Sequence, residues 1–145
     1  MNIRTPSLSD VDKLFQIEIE NYGEQEATEK ETFQALVEFP EDYIGYDLKV
    51  LVDAEVIGFY CTVEEDGNIE LVDIAVSKDF QGRGHGSTLL EECLKSHAQM
   101  PLSLTVREDN YSAIALYKKF GFKQTEIEKD YYDDCNGLRF EKTNL

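Results

Sequence analysis

The 145 residues carry 30 Asp plus Glu against 14 Lys plus Arg, a formal charge of −16 at neutral pH. Such a field repels phosphate backbones and anionic lipid surfaces, so nucleic acid and membranes are excluded as partners, whereas a cationic amine would be attracted. An apolar fraction of 41 % with eight Tyr and eight Phe fills one core, so a single domain over residues 1–145 is expected, folding alone or as a small oligomer such as a homodimer. In chain order, residues 3–5 can form a short strand before Pro6. Ser9-Asp10 then offers a cap for a helix with Val11, Leu14 and Phe15 on one face. Ile17, Glu18 and Ile19 interrupt that stripe, and Asn21-Tyr22-Gly23 reads as the stop. A second helix spans residues 28–38 and ends at Phe39-Pro40.

Three β-rich runs follow, residues 49–52, 56–63 and 69–76, joined by polar turns at 53–55 and 64–68, which reads as an antiparallel meander. After it the pattern alternates: helix 84–97, strand 102–106, helix 110–120. The first of these helices has Leu89, Leu90, Cys93 and Leu94 on one side, the second Ala113, Leu116, Tyr117 and Phe120, and each can cover a sheet face. Runs 122–130 and 138–143 flank the turn-rich residues 133–137 and close the chain as a hairpin. The result is an α/β (α+β) domain with a mixed, mainly antiparallel sheet of six to seven strands and about four helices.

Cys61, Cys93 and Cys135 are odd in number and lack any CxxC or Cys/His spacing, so neither a disulfide framework nor a metal site is expected. No apolar signal core or bilayer-length apolar run is present, and a reducing cytoplasm is the expected location.

Residues 74–86 carry the most chemistry: the apolar strand Ile74-Ala75-Val76 runs into Gln81-Gly82-Arg83-Gly84-His85-Gly86 and then an amphipathic helix. Glycines allow close backbone approach, and the free N–H groups at a helix start favour an anion, with Arg83 and Lys78 adding positive charge. The Gly-Lys-Ser/Thr end of a P-loop is missing. A dinucleotide fingerprint needs GxGxxG in an opening βαβ unit, whereas GxGxG here follows a meander. The loop resembles the pyrophosphate loop of the GCN5-related N-acetyltransferase superfamily, Gln/Arg-x-x-Gly-x-Gly/Ala, at Gln81, Gly84 and Gly86. A second block, residues 110–122, has that family's NxxAIxLYxxxGF form, and the order of elements along nearly the whole chain is the family's.

The resemblance implies acetyl-coenzyme A as cosubstrate and no metal. The pantetheine arm would run along Ile74, Ala75 and Val76, between a splayed fourth and fifth strand. The pyrophosphate would take N–H groups of Gln81, Gly82, Arg83, Gly84, His85, Gly86 and Ser87, and Asn110 would touch the cofactor. Direct attack of an amine on a thioester needs a proton acceptor and a donor for the departing sulfur. Tyr117 matches the family's acid, and a phenol of pKa about 10 stays protonated near neutrality. Glu70 is the first choice of base, directly or through water, with Asp73 second; Thr105 stands where some protein N-terminal acetyltransferases carry a base. Neither His85 nor His97 is assigned a catalytic role.

For the acceptor, Tyr131 and Tyr132 resemble the paired tyrosines lining the peptide channel of RimI-like protein N-terminal acetyltransferases, though they could instead pack across the final hairpin. Residues 18–22, with Tyr22, together with 26–28 and 39–42, are similar to bacterial proteins of the arylalkylamine-acetyltransferase type. A peptide or protein N-terminal amine is ranked first and a small amine, arylalkylamine or polyamine, second. A non-catalytic module that only binds acetyl-coenzyme A, and a nicotinamide-dependent oxidoreductase, are the remaining readings.

Overall fold

Local chemistry at the start of the chain fixes how the first helix meets the sheet. In the computed structural model, which describes residues 1–143, the Asp10 carboxylate does not cap the helix as expected. It turns back, accepting from the Ser7 N–H at 2.8 Å and from the Arg4 guanidinium at 2.7 and 3.2 Å. Strand β1 (Asn2–Arg4) is thereby tied to the start of α1 (Val11–Glu26), and Arg4 holds the buried Asp10 carboxyl below the usual carboxylate range. The expected stop near residue 23 is a break within α1: Gly23 takes φ +70°, and residues 24–26 continue as a separate turn. α2 (Lys30–Glu38) follows and ends before Pro40, whose ring cannot continue it.

The meander is β2 (Tyr46–Asp53), β3 (Glu55–Glu65) and β4 (Asn68–Val76), paired antiparallel in sequence. Then come α3 (His85–Ser96), β5 (Pro101–Arg107), α4 (Tyr111–Lys119) and the hairpin β6 (Lys123–Glu128) and β7 (Gly137–Thr143). The strands form one sheet in the order β1-β2-β3-β4-β5-β7-β6, mixed and mainly antiparallel as expected, with β4–β5 its parallel pair. α1 and α2 cover one face, where Leu14, Ile17 and Phe33 pack on Val50, Phe59 and Ala75. α3 and α4 share the other, with Leu89, Leu90 and Tyr117 against Tyr60, Ile69 and Leu71.

Two irregularities of β4 decide where the functional groups go. Thr62 pairs with Leu71 but Cys61 with Asp73, so Val72 is an extra residue, and the parity of the strand reverses there. Ile69 and Leu71 face α3 and α4, whereas Asp73 and Ala75 face α1. The parallel pairing with β5 is confined to Ile69 with Leu102 and Glu70 with Ser103, after which the strands part.

On its other edge β4 packs tightly on β3 at Gly58, where an added Cβ would lie 2.9 Å from the Ala75 carbonyl oxygen and 3.0 Å from Leu89 Cδ1. Gly58→Ala is expected to cost about 1–3 kcal/mol by overpacking. That loss would be read as a fall of about 2–4 °C in Tm per kcal/mol in thermal circular dichroism; an unchanged Tm would contradict the packing described.

Candidate active site

Where β4 and β5 separate, a cleft of about 840 Å³ opens between them. One end lies at the start of α3. Gly82 and Gly84 hold φ of +77° and +85°, turning the chain so that the first-turn N–H groups of α3, which have no preceding helical carbonyl, sit at the cleft. An added Cβ at Gly82 or Gly84 would meet nothing within 4 Å, so the space over the loop is open. Gly86 differs: its backbone is ordinary, and a Cβ there would touch Leu116 Cδ2 at 3.5 Å.

The residues expected to hold a cofactor divide into two groups. Ile74, Ala75, Val76, Gln81, Gly82, Gly84, His85, Gly86, Ser87 and Asn110 all line the cleft. Arg83 does not line it; its guanidinium lies over the Phe80 ring at 5.4 Å. The Gln81 side chain is already engaged, donating to the Val76 carbonyl at 3.0 Å and to Asn21 Oδ1 at 3.2 Å, while Asn21 donates to the same carbonyl at 3.0 Å. Gln81 thus staples the end of β4 to α1. Asn110 caps α4, its Oδ1 accepting from the Ala113 N–H at 3.3 Å, and His85 meets Phe80 edge-on at 6.4 Å.

Tyr117 also lines the cleft, 5 % exposed and braced by Phe122 and Phe140 at 5.8 and 6.4 Å between ring centroids. Burial, and secondarily the negative charge of Asp73, pushes its pKa above the ordinary phenol value, so it remains protonated. Glu70 is exposed at the last β4–β5 pair and makes no side-chain hydrogen bond or ion pair among the described residues. Asp73, in contrast, is carried by the Val72 bulge toward α1, where it meets Glu18 and Tyr22. Burial first, and then Glu18, raise its pKa well above the carboxylate range; the Tyr22 hydroxyl and the Ile74 N–H oppose the shift. Tyr22 donates to the Ile74 carbonyl at 2.6 Å, and burial raises its own pKa.

Glu18 was not among the expected site residues. It is 2 % exposed, with Oε2 accepting from the Thr28 N–H at 2.7 Å and Oε1 without a partner. Its signal in the sequence was the interrupted stripe: Glu18 falls at helical spacing behind Val11 and Leu14, on the buried face.

The other wall is the β6–β7 loop. Tyr131 and Tyr132 lie in that loop rather than in its strands, ring centroids 4.9 Å apart at 74°, so cross-strand packing is not their arrangement. Gly137 lets them settle over β5, since a Cβ there would lie 2.8 Å from Thr105 Cγ2 and 3.1 Å from Tyr131. Arg107, also absent from the expected set, holds this wall. Its guanidinium binds both oxygens of Asp109 at 2.9 and 3.0 Å, both of Asp134 at 2.9 Å, and Glu26 at the end of α1. It also lies over the Tyr132 ring at 5.2 Å. Burial pushes Tyr132 up to about 12.

The acetyltransferase (GNAT) family model matches residues 11–122. The ribosomal protein bS18-alanine N-acetyltransferase of Salmonella typhimurium is 37 % identical over 94 residues, covering 63 % of this chain and 64 % of that protein. The chain therefore matches just under two thirds of that relative's length. The N-alpha-acetyltransferase of Sulfolobus acidocaldarius is 30 % identical over 148 aligned positions, 91 % of this chain and 85 % of that protein. The crystal structure of Ard1 from Thermoplasma volcanium superposes with a TM-score of 0.82 at 26 % identity, covering 99 % of this chain and 97 % of that one.

Because Arg107 joins β5, α1 and the β6–β7 loop, Arg107→Gln is expected to free that loop while the sheet stays intact. Amide exchange should accelerate at residues 129–136 and not in β3 or β4; equal protection throughout would show that the wall stands without this cation.

Proposed function

The chain belongs to the acetyltransferase (GNAT) family, and on that footing we propose that it transfers the acetyl group of acetyl-coenzyme A to a primary amine, namely the N-terminal amine of a peptide or protein. The observation that carries this reading is the parted pair β4–β5, which leaves one cleft with an anion cradle at one end and a buried tyrosine among carboxyls at the other. Acetyl-coenzyme A fits the residues present. The open space over Gly82 and Gly84 and the first-turn N–H groups of α3 suit its pyrophosphate. The edge of β4 at Ile74 and Val76 suits its amide-bearing arm, and the thioester it brings is the acetyl donor.

The chain's own residues then divide the work. Tyr117, kept protonated by burial, donates to the departing sulfur. Glu70 and Asp73 on β4 are the carboxylates available to take the amine's proton. No cysteine lines the cleft among the described residues; Cys61 and Cys93 are 4 % and 0 % exposed, and burial holds each thiol at about 12. Direct transfer in a ternary complex is therefore favoured over an acyl-cysteine intermediate. These thiols are free, as suits a reducing cytoplasm.

The names of the relatives and the tyrosine pair beside Thr105 support a peptide acceptor, with Tyr131, Tyr132 and Tyr22 lining its channel. The acidic, aromatic wall of Glu18, Tyr22 and Tyr132 favours, as second reading, a small amine of the arylalkylamine or polyamine type.

Thiol release from acetyl-coenzyme A is expected with peptides bearing a free N-terminus and not with N-terminally blocked ones. Release with small amines alone would move the assignment to the second reading. Tyr117→Phe should lower kcat by roughly 10²–10⁴ with acetyl-coenzyme A affinity unchanged; equal turnover would remove Tyr117 as the acid.

The cradle is tested at Gly86 rather than Gly84, because the φ of +85° at Gly84 would strain any side chain there. Gly86→Val should lower Tm modestly through its contact with Leu116 and, in the folded variant, weaken acetyl-coenzyme A binding in calorimetric titration. Unchanged affinity would contradict the cradle.

A further inference from the structure

We propose that Glu18 and Asp73 act as one carboxyl pair, holding a single shared proton, that receives the acceptor's ammonium and takes the proton it must lose. The proposal rests on the acetyltransferase reading and deepens it. Glu18 sits in the apolar stripe of α1, 2 % exposed, at a position where a leucine would pack. One of its oxygens is satisfied by the Thr28 N–H at 2.7 Å, so a purely structural role is accounted for there; the other has no donor. Asp73 reaches the same place only because the Val72 bulge reverses the strand. Bulges beside active sites commonly re-aim one side chain in this way.

Two carboxyls in a desolvated site do not both stay ionised, and a proton between them supplies the donor that Glu18 Oε1 lacks. The remaining groups facing the pair are hydroxyls and a thiol: Tyr22 on α1, Tyr117 on α4, Cys61 on β3 with Asp47 beyond it, and Tyr132 beside Tyr22. No cation is among the strongest influences on Asp73. Arg107 lines the same cleft from β5 but is held by Glu26, Asp109 and Asp134, so the pair presents a net charge of about −1 with no ion-pair partner of its own among the described residues. A primary ammonium, with three donors on a compact charge, is the chemical class that answers it. One N–H proton passes to a carboxyl oxygen, the pair goes from one bound proton to two, and the nitrogen keeps the electron pair of the broken N–H bond for attack. After the product leaves, the pair returns that proton to water. Thr105 offers no such group from β5, and Glu70 is solvated at the edge of the site.

The test compares Glu18→Gln, Asp73→Asn and Glu70→Gln in the whole chain. Asp73→Asn should lower kcat by about 10²-fold or more with acetyl-coenzyme A affinity unchanged. Glu18→Gln should move the acidic limb of the kcat/KM profile to higher pH, because a pair that already shares one proton takes a second less readily than Asp73 alone takes its first. A large loss in Glu70→Gln with Asp73→Asn active would overturn the proposal in favour of Glu70.

A readout without turnover separates this from the acetyl-transfer reading. Infrared titration should show a protonated carboxyl stretch near neutral pH that vanishes in Asp73→Asn, and hexylammonium chloride should bind the wild type more tightly than the Glu18→Gln/Asp73→Asn double variant, which carries no charge there. If no amine supports thiol release, the transfer reading fails and these two measurements still decide the pair; absence of the stretch in the wild type sinks it. Stability gives a third check. Asp73 holds in the folded chain a proton that the unfolded chain has lost, so stability should fall as pH rises from the carboxylate range through its raised value. Asp73→Asn should flatten that slope, and a slope kept in the variant would count against the shared proton.

Discussion

β4 and β5 share hydrogen bonds at Ile69/Leu102 and Glu70/Ser103 and then diverge, and the rest of the molecule is organised around that parting. A strand edge left open inside a domain exposes backbone groups that must find partners. On β4 the carbonyls are met from α1 and the glycine loop. Tyr22 donates to Ile74, and Asn21 and Gln81 both donate to Val76. A residue's N–H points to the same edge as its C=O, so the amides of Ile74 and Val76 face the cleft side, the Ile74 N–H shared with the Asp73 carboxyl. β5 meanwhile pairs with β7 along its whole length, which keeps the second wall straight while the first is held by side chains.

Because the walls are held differently, the two ends of the cleft have different physics. The α3 end is built from backbone: positive-φ glycines and a helix start, rigid and insensitive to side-chain rotamers. The other end is built from side chains contributed by α1, β4, α4 and the β6–β7 loop, and these need an anchor. Arg107 supplies it at the end of β5, joining Glu26, Asp109 and Asp134 under the face of Tyr132. A lysine could not do the same, since the planar fork binds two carboxylates bidentately and stacks on the ring at once.

The elements themselves were largely legible, because each rests on short-range pattern. The glycine loop, the apolar stripes of the helices at 84–97 and 110–120 and the alternation of the meander lie within a few residues of what they organise. What escaped was long-range. Arg107 meets Glu26 across 81 positions and Asp134 across 27, and no periodicity connects them. The Val72 bulge depends on how β3 pairs, whereas plain alternation through residues 69–76 puts Asp73 on the same face as Ile69 and Leu71, so its direction could not be deduced from the run itself. Glu18 had a local signature, a carboxylate in a buried stripe, but its reading required knowing that Asp73 arrives opposite. Asp10 shows the same limit in small: a good cap residue was taken by Arg4, six positions earlier, which makes a stronger charge-assisted bond.

The overall charge of −16 stands against the proposed binding of acetyl-coenzyme A, whose pyrophosphate is anionic. Screening resolves the difficulty: at physiological ionic strength charges separated by more than about 8 Å of solvent act weakly, so the local arrangement decides. At the α3 end the contact groups are N–H donors and a helix start, and the carboxylates that line the cleft belong to α1 and β4. Desolvation works in the opposite sense beside Asp73, strengthening every interaction that remains and making an unpaired negative charge there costly until a cation arrives. One parted strand pair therefore gives a single cleft two electrostatically opposite parts, backbone amides at the start of α3 and carboxyls on α1 and β4, which is the arrangement that the proposed transfer, with Tyr117 as its acid, requires.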